Sequence, residues 1–447
     1  MLLSHLSIKI FSLLNKQILR LAIPNILSNL SVPLLSSVDT AVMGHLESPV
    51  YLGAIAVGSM IFSLLYWSFG FLRMGTTGLT AQAYGSKNNK EISNLLFRAI
   101  FISIGIGFAF IIFQNPISEI VFYFVEGSDE VEMFAGNYFD IRIYAAPATL
   151  SLFAFNGWFL GMQNAKIPLV LSLFVNILNI VFNLLFVYQF DMKVEGIAWG
   201  TVISQYLGLF LAIILFKKNY ASKVNYFNIK LILNKEELLK FFKLNLDIFI
   251  RTLLLISTIA FFTAKSAEFN DNILAANFIL LQLWLIVSYG VDGFAFASES
   301  LVGKFIGAKD SINLRKVISH SFVWGIGLGL LTSAIYLIFG RGIISLYTNQ
   351  QDVIEVAMSF IIWVTISPVI NSVSFIWDGI YIGATETRKM LYSMLISVLI
   401  FFYPIYFLTL EYIGNHSIWL ALTFFMVIRG LTLTIYSKRV FNKFSTS

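Results

Sequence analysis

The sequence predicts an all-α, polytopic membrane protein with twelve transmembrane helices in two six-helix bundles related by a pseudo-twofold axis. Three observations carry that expectation. Of 447 residues, 58% are hydrophobic and only 12% are charged, where soluble domains carry about 25% charged residues. Mean hydropathy is +0.81. Twelve stretches are apolar over the roughly 20 residues that a bilayer crossing needs, and short motifs recur half a chain apart. A soluble globule of this size has too little interior for so much apolar surface, which excludes most soluble enzymes, nucleic-acid binders and disordered chains. The absence of cysteine excludes disulfides, zinc–thiolate sites, iron–sulfur clusters and cysteine nucleophiles.

Taken in order, the expected spans are 18–43, 50–73, 92–114, 135–161, 167–190, 196–216, 239–264, 273–298, 316–340, 354–383, 389–411 and 416–437. Runs such as AIFISIGIGFAFIIF (99–113) are apolar on every side. They do not alternate as the strands of a membrane β-barrel do. The first 17 residues lack the small-residue cleavage pattern of a signal peptide. Lys9, Lys16 and Arg20 make them a basic, amphipathic lead-in.

Charge placement orients the chain. With the N-terminus inside, 23 of the 30 Lys and Arg fall in inner segments, and only Lys193, Lys265 and Arg341 fall in outer loops. Arg73, Arg142, Arg251 and Arg429 lie within spans or at their edges, and the outer loops are acidic (Glu126, Asp129, Glu130, Glu132). Both termini are therefore expected in the cytoplasm. The basic balance is a topology signal, and no nucleic-acid partner is expected.

Shifting the chain by 222 residues lays Gly85-Ser86-Lys87-Asn88 on Gly307-Ala308-Lys309-Asp310, Asn156-Gly157 on Asp378-Gly379, and Gly161 on Gly383. Pro147 falls one position from Pro368. An even number of spans per half makes this a parallel repeat with its axis along the membrane normal. The expected domains are an N-terminal lobe over 1–216, a cytoplasmic linker over 217–238 and a C-terminal lobe over 239–447. Two facing six-helix lobes are the architecture of an alternating-access transporter.

The first half contains SVDTAVMGHL (37–46), FLRMGTTGLTAQAYG (71–85), NGWFLGMQNAKIP (156–168), NILNIVFNLLFV (176–187) and VEGIAWGTVISQ (194–205). The second contains DIFIRTLLL (247–255), DGFAFASESLVGKFIGAKD (292–310) and WDGIYIGAT (377–385). These stretches resemble the multidrug and toxic-compound extrusion (MATE) family, and within it the branch named for DNA-damage-inducible protein F. The resemblance covers about 18–437. It implies a secondary active, xenobiotic antiporter of a bacterial inner membrane, exporting organic cations or amphipathic drugs in exchange for protons, or sodium, by alternating access. Its partners would be such small molecules and the lipid bilayer. The protein is expected to be a monomer without a cofactor, the coupling ion being a proton or sodium.

Asp39 is the candidate coupling residue. A charged carboxylate within a span costs about 2.5–3.5 kcal/mol on insertion scales, and no obvious cation partners it in its own span, where Arg20 stands near the other end. Removal from water favours the neutral carboxyl, as a site that swaps a proton for a cation requires. The bland alternative is a helix-end cap or a vestibule residue. The resemblance sets Asn179, Asn183 and Thr201 around Asp39, as proton-coupling or sodium-binding partners. Relatives often carry Asp at the position of Asn183, so this chain has one carboxylate where they have two. A neutral pocket on protonation favours the proton over sodium. For the amides and hydroxyl, ordinary interhelical hydrogen bonding is the alternative. Pro24 and Pro33 precede Asp39 and are the expected hinge of span one, or else a static kink.

In the second half, Asp247 and Arg251 lie four apart on one helix face, and Asp292 reaches a similar depth. A buried Asp247–Arg251–Asp292 cluster is expected, with Glu299 one or two turns nearer the cytoplasm. It is a second site for proton or substrate, or an ion-pair cluster that fixes helix register. Arg73 and Arg142 read as snorkelling or packing residues near helix ends. Asp378 and Asn156 read as helix-end chemistry. Met60, Phe153, Phe155 and Phe294 are candidates to line the substrate cleft.

Other classes fit less well. His5, His45, His320 and His416 lie at or beyond span ends, and no zinc motif, nucleotide loop or serine–histidine pair appears, so no enzyme is expected. Neither a filter nor a charged ring suggests a channel. A flippase or exporter of a lipid-linked or glycolipid substrate is the rival within transport, and a non-transporting scaffold or receptor is the rival outside it.

Overall fold

A computed structural model describes residues 2–44, 48–123, 128–222 and 229–445, without the side chains of 2–12, 34, 36, 37, 39–41, 43, 44, 231 and 439–445. The side chains of Asp39, His5 and Lys9, and all of His45 and Glu126, thus lie outside the described residues. The chain forms two compact units. One joins Met1–Ile26 to Lys243–Ser447, and the other is Leu27–Phe242.

Every described element is helical, as the apolar composition requires: inside lipid each backbone polar group must bond within its own segment. The helices up to the middle of the chain are α1 (Leu2–Gly44), α2 (Pro49–Ser68), α3 (Phe71–Gly85), α4 (Asn89–Ile112), α5 (Gln114–Phe122), α6 (Asp129–Arg142), α7 (Ala146–Gly161), α8 (Lys166–Leu184), α9 (Lys193–Tyr220) and α10 (Ile229–Ile232). They continue as α11 (Lys235–Ala267), α12 (Asp271–Gly307), α13 (Ser311–Ser345), α14 (Gln351–Gly383), α15 (Thr387–Leu395), α16 (Tyr403–Ile413) and α17 (His416–Ser445). Short π-helical segments, Leu185–Gln189 and Ile396–Phe402, follow α8 and α15. Among the described residues, 11 segments are long and apolar enough to cross a membrane. The expected first span lies within α1, whose 43 residues measure about 65 Å at 1.5 Å per residue.

The unit Leu27–Phe242 has two apolar centres. One gathers Phe62, Phe139, Ile143, Val187 and Ile197. The other gathers Leu96, Trp158, Phe159, Leu171 and Ala212, and Trp158 Nε1 donates to the Ile92 carbonyl at 2.9 Å. In the other unit, polar groups tie apolar helices together. Asn277 Nδ2 donates to Ser266 Oγ at 2.8 Å and to Asn415 Oδ1 at 2.7 Å. Trp419 Nε1 donates to Asn277 Oδ1 at 2.9 Å. The start of α1 packs in this second unit: Trp324 Nε1 donates to Asn15 Oδ1 at 2.9 Å, and Gly293 faces Ala22 and Ile26. The unit boundary thus falls inside α1, two residues after Pro24.

The 222-residue repeat is visible in the backbone. α3 ends with Lys87 at φ 57° and α12 with Lys309 at φ 55°. Each corner is closed by the same pair of bonds: Asn88 N to Ala83 O and Lys87 N to Tyr84 O, matched by Asp310 N to Phe305 O and Lys309 N to Ile306 O. This is the Schellman pattern that satisfies a helix's last carbonyls. The next helix is capped alike, by Asn88 on Glu91 N (3.1 Å) and by Asp310 on Asn313 N (3.0 Å). The ends of α7 and α14 repeat the motif at Gln163 and Thr385. A Cβ on Gly157 would strike the Arg73 carbonyl, and one on Gly379 the Ala295 carbonyl, again 222 apart. Of the glycines matched in the sequence, Gly157, Gly161, Gly379 and Gly383 are where helix backbones touch.

Candidate functional site

The unit Leu27–Phe242 contains a partly open cavity of about 410 Å³. Val32 and Leu35 of α1, Ile55 of α2 and Val175 of α8 give it apolar walls. Ser59 and Ser63 of α2, Arg142 of α6, Asn179 of α8, and Thr201 and Gln205 of α9 give it polar ones. A volume near the lower end of small-molecule pockets with a few convergent polar groups is what a binding site requires.

Behind the wall runs a buried polar ladder. Asn183 Nδ2 donates to Asn179 Oδ1 at 3.0 Å, Asn179 Nδ2 to Thr201 Oγ1 at 3.0 Å, and Thr201 Oγ1 to the Ile197 carbonyl at 3.0 Å. Exposure is 0% at Asn183, 2% at Asn179 and 9% at Thr201. Four-residue spacing on α8 stacks the two amides on one face. Gly200 makes the approach of α9 possible, because a Cβ there would occupy the Asn183 amide. The structure therefore joins three of the four expected coupling residues and opens two of them, Asn179 and Thr201, to the cavity. Asp39 stands on α1 one helical turn after Leu35 in register; its side chain is outside the described residues.

A second contact fixes α1 to α8. Asn176 Nδ2 donates to Ser31 Oγ at 2.9 Å and to the Ser31 carbonyl at 3.3 Å, and Ser31 Oγ lies 3.0 Å from Ser172 Oγ. The asparagine-rich run over 176–187 contained this signal, since Asn176 precedes Asn179 by three and shares its helix face. Sequence reasoning passed over it. Pro24 and Pro33 both lie inside α1.

Arg142 lies at a helix end. It is the last residue of α6, a helix of 14 residues, so it stands about 20 Å from the helix start. It donates to the Tyr138 hydroxyl. Its guanidinium carbon sits 4.8 Å from the Phe62 ring centre and 5.2 Å from that of Tyr138.

The second-half charges are paired differently from the expected cluster. Arg251 pairs with Asp378, and Arg429 Nη2 lies 2.5 Å from the same oxygen, Asp378 Oδ2. Asp247 instead accepts from Thr387 Oγ1 at 3.1 Å. Asp292 lies within electrostatic reach of Arg429. Asp378 is thus no helix-end residue. It is buried in α14, more than a turn before Gly383, and ties α11, α14 and α17 together. The missed signal was that Arg429 was the one cation in the last span. Glu299 is fully buried in α12. Asn156 is half-buried within α7.

None of the aromatic or methionine candidates lines the described cavity. Phe155 is 3% exposed and stacks on Phe159 at 5.9 Å. Phe294 is 5% exposed and stacks on Trp324 at 6.0 Å. Both are core residues of their units. Phe153 is half-buried. Met60 is 52% exposed, off the α2 face of Ile55, Ser59 and Ser63 that meets the cavity.

The MatE sequence profile matches the chain twice, over 24–185 and 247–408. The chain belongs to the MatE family. The two matches are the two halves of the repeat. DNA damage-inducible protein F of Escherichia coli is 37% identical over 425 residues, covering 95% of this chain and 92% of that one. Protein DETOXIFICATION 44, chloroplastic, of Arabidopsis thaliana is 27% identical over 92% of this chain and 80% of its own length. The fold matches that of a MOP superfamily transporter from Pyrococcus furiosus with a TM-score of 0.86, at 17% identity over 97% of both chains. MatE proteins are transporters, so this chain is an integral membrane transporter and not an enzyme. Its relatives include a probable multidrug resistance protein of Photorhabdus laumondii and a multidrug export protein of Staphylococcus aureus, at 25% and 23% identity, which supports efflux transport.

Proposed function

We propose that the protein exports organic cations or amphipathic compounds in exchange for protons, with Asp39 as the coupling carboxylate. The observation that carries this reading is the buried Asn183–Asn179–Thr201 ladder, opening on the cavity beside the segment of α1 that bears residue 39. Protonated, Asp39 adds no charge beside the ladder, in which Asn183 donates to Asn179 and Asn179 to Thr201. Deprotonated, it supplies a charge in a site poor in water, where a cation substitutes for the proton. The protein thus holds one or the other, and a proton entering from outside releases the cargo there.

The ladder also bears on the ion. The Asn179 oxygen already accepts from Asn183, and the Thr201 oxygen from Asn179, so each keeps only part of its capacity for sodium, which needs several free oxygens. That favours the proton. Pro24 is proposed as the hinge: it withdraws one N–H from α1 and frees the Arg20 carbonyl, at the place where α1 passes from one compact unit to the other. The protein is further proposed to act as a monomer in a bacterial inner membrane with both termini cytoplasmic, in keeping with the Lys and Arg asymmetry of its loops. The test is efflux of a fluorescent organic cation from proteoliposomes under an imposed pH gradient or an imposed sodium gradient. The pH gradient alone should drive it. Transport that follows sodium and ignores pH would sink the proton reading.

A further inference from the structure

A pure organic cation does not complete this cavity, because the cavity already contains a cation. Arg142 lines it together with Ser59, Ser63, Asn179 and Gln205. The five N–H groups of a guanidinium seek acceptors in a fixed fork. Of these, Nη1 is used on the Tyr138 hydroxyl, and Nε is buried with no protein acceptor. Its face rests on Phe62 and Tyr138, which hold the plane in place without neutralising it. Among the described residues no carboxylate pairs with Arg142, whereas the two deeply buried arginines of the other unit share Asp378. An arginine held against aromatic rings, with a buried N–H that lacks an acceptor and facing a partly open cavity with polar groups, suits a planar anion.

We propose that Arg142 is the anion-binding point of the cavity, and that the cargo is an amphipathic zwitterion whose carboxylate or similar anionic group is held there. The inference rests on the antiport proposed above and narrows its cargo. The positive end of the zwitterion exchanges with the proton on Asp39, the negative end stays on Arg142, and the apolar body lies along Val32, Leu35, Ile55 and Val175. Such a molecule answers both Arg142 and Asp39, where a simple cation answers one and opposes the other.

The experiment is equilibrium binding to the purified full chain, followed by fluorescence anisotropy with ε-dansyl-lysine and with its methyl ester. The two probes differ in the free carboxylate; esterification also makes the α-amine less basic, so both are compared in mildly acidic buffer, where each carries a full ammonium charge. Wild type should bind the free acid at least about tenfold more tightly, since a site built around a polar group rejects the analogue lacking it. Arg142→Gln should abolish the preference, and Arg142→Lys should keep part of it through charge without the planar fork. The wild-type comparison stands even if Arg142→Gln fails to fold. Equal binding of the two probes, tighter binding of the ester, no binding of either, or an unchanged ratio in Arg142→Gln would each overturn the assignment. Should the antiport reading alone be wrong, the carboxylate preference would persist in binding while a pH gradient moved neither probe out of proteoliposomes.

Discussion

Asp378→Asn is the sharpest structural test, because one oxygen serves two buried cations. Asp378 Oδ2 accepts from both Arg251 and Arg429, and the side chains of the three are 11%, 8% and 2% exposed. The substitution keeps the shape and removes the charge, leaving two guanidiniums facing each other out of water. Breaking one buried pair costs about 3–5 kcal/mol. The two contacts share an acceptor and are not additive, so the expected loss lies toward the upper end of that range rather than at twice it. At roughly 2 °C per kcal/mol for a large chain, thermal unfolding of the purified protein should begin about 8–10 °C lower. Replacing all three charges together, as Arg251→Met, Asp378→Leu and Arg429→Met, should recover most of the loss, because well-packed apolar groups often equal a buried ion cluster. The triple variant should also transport, the cluster being a fastener of α11, α14 and α17. An Asp378→Asn protein as stable as wild type would refute the shared-carboxylate reasoning. A stable triple variant without transport would make the cluster part of the transport path.

Three further outcomes follow from the same geometry. Gly157→Ala and Gly379→Ala each place a methyl on a facing helix carbonyl and should each cost about 1–3 kcal/mol of stability; a loss at one position and none at its repeat partner would argue against equivalent packing in the two halves. Asn183→Asp sets a second carboxylate beside Asn179, so the pair should share a proton and gain affinity for cations. A sodium gradient should then drive measurable efflux where it drives little in wild type. Pro24→Ala returns an N–H to α1 and should slow turnover while leaving cargo affinity unchanged, and equal turnover would show that bending there is unnecessary.

The helices and their repeat were legible in the sequence for a simple reason. Lipid allows few backbone solutions, and apolar length is enough to mark them. The 222-residue offset was readable because the matched residues do backbone work: Lys87 and Lys309 take positive φ, Asn88 and Asp310 cap, and Gly157 and Gly379 admit a neighbouring helix. Asn179, Asn183 and Thr201 were found together because spacing on α8 and the family resemblance pointed the same way. Pairings between distant helices were less legible. Asp247 and Arg251 share a helix face, yet Arg251 turns to Asp378, 127 residues away in sequence, since helix periodicity says which residues share a face and not which helix that face meets. Arg142 does end a helix, but the sequence did not show that its guanidinium meets Phe62 and Tyr138. The aromatic candidates failed for a related reason: with 44 Phe in the chain, ring type carries little information, and Phe155 and Phe294 pack in cores.

Competition between proton and cargo at Asp39 is the centre of this account. It is tested most directly by adding a saturating amphipathic cargo with a permanent positive charge to the purified protein in weakly buffered solution and recording the pH. Wild type should release close to one proton for each cargo bound, and Asp39→Asn should bind cargo without releasing any. Cargo binding by wild type with no change in pH, or equal proton release from Asp39→Asn, would contradict it.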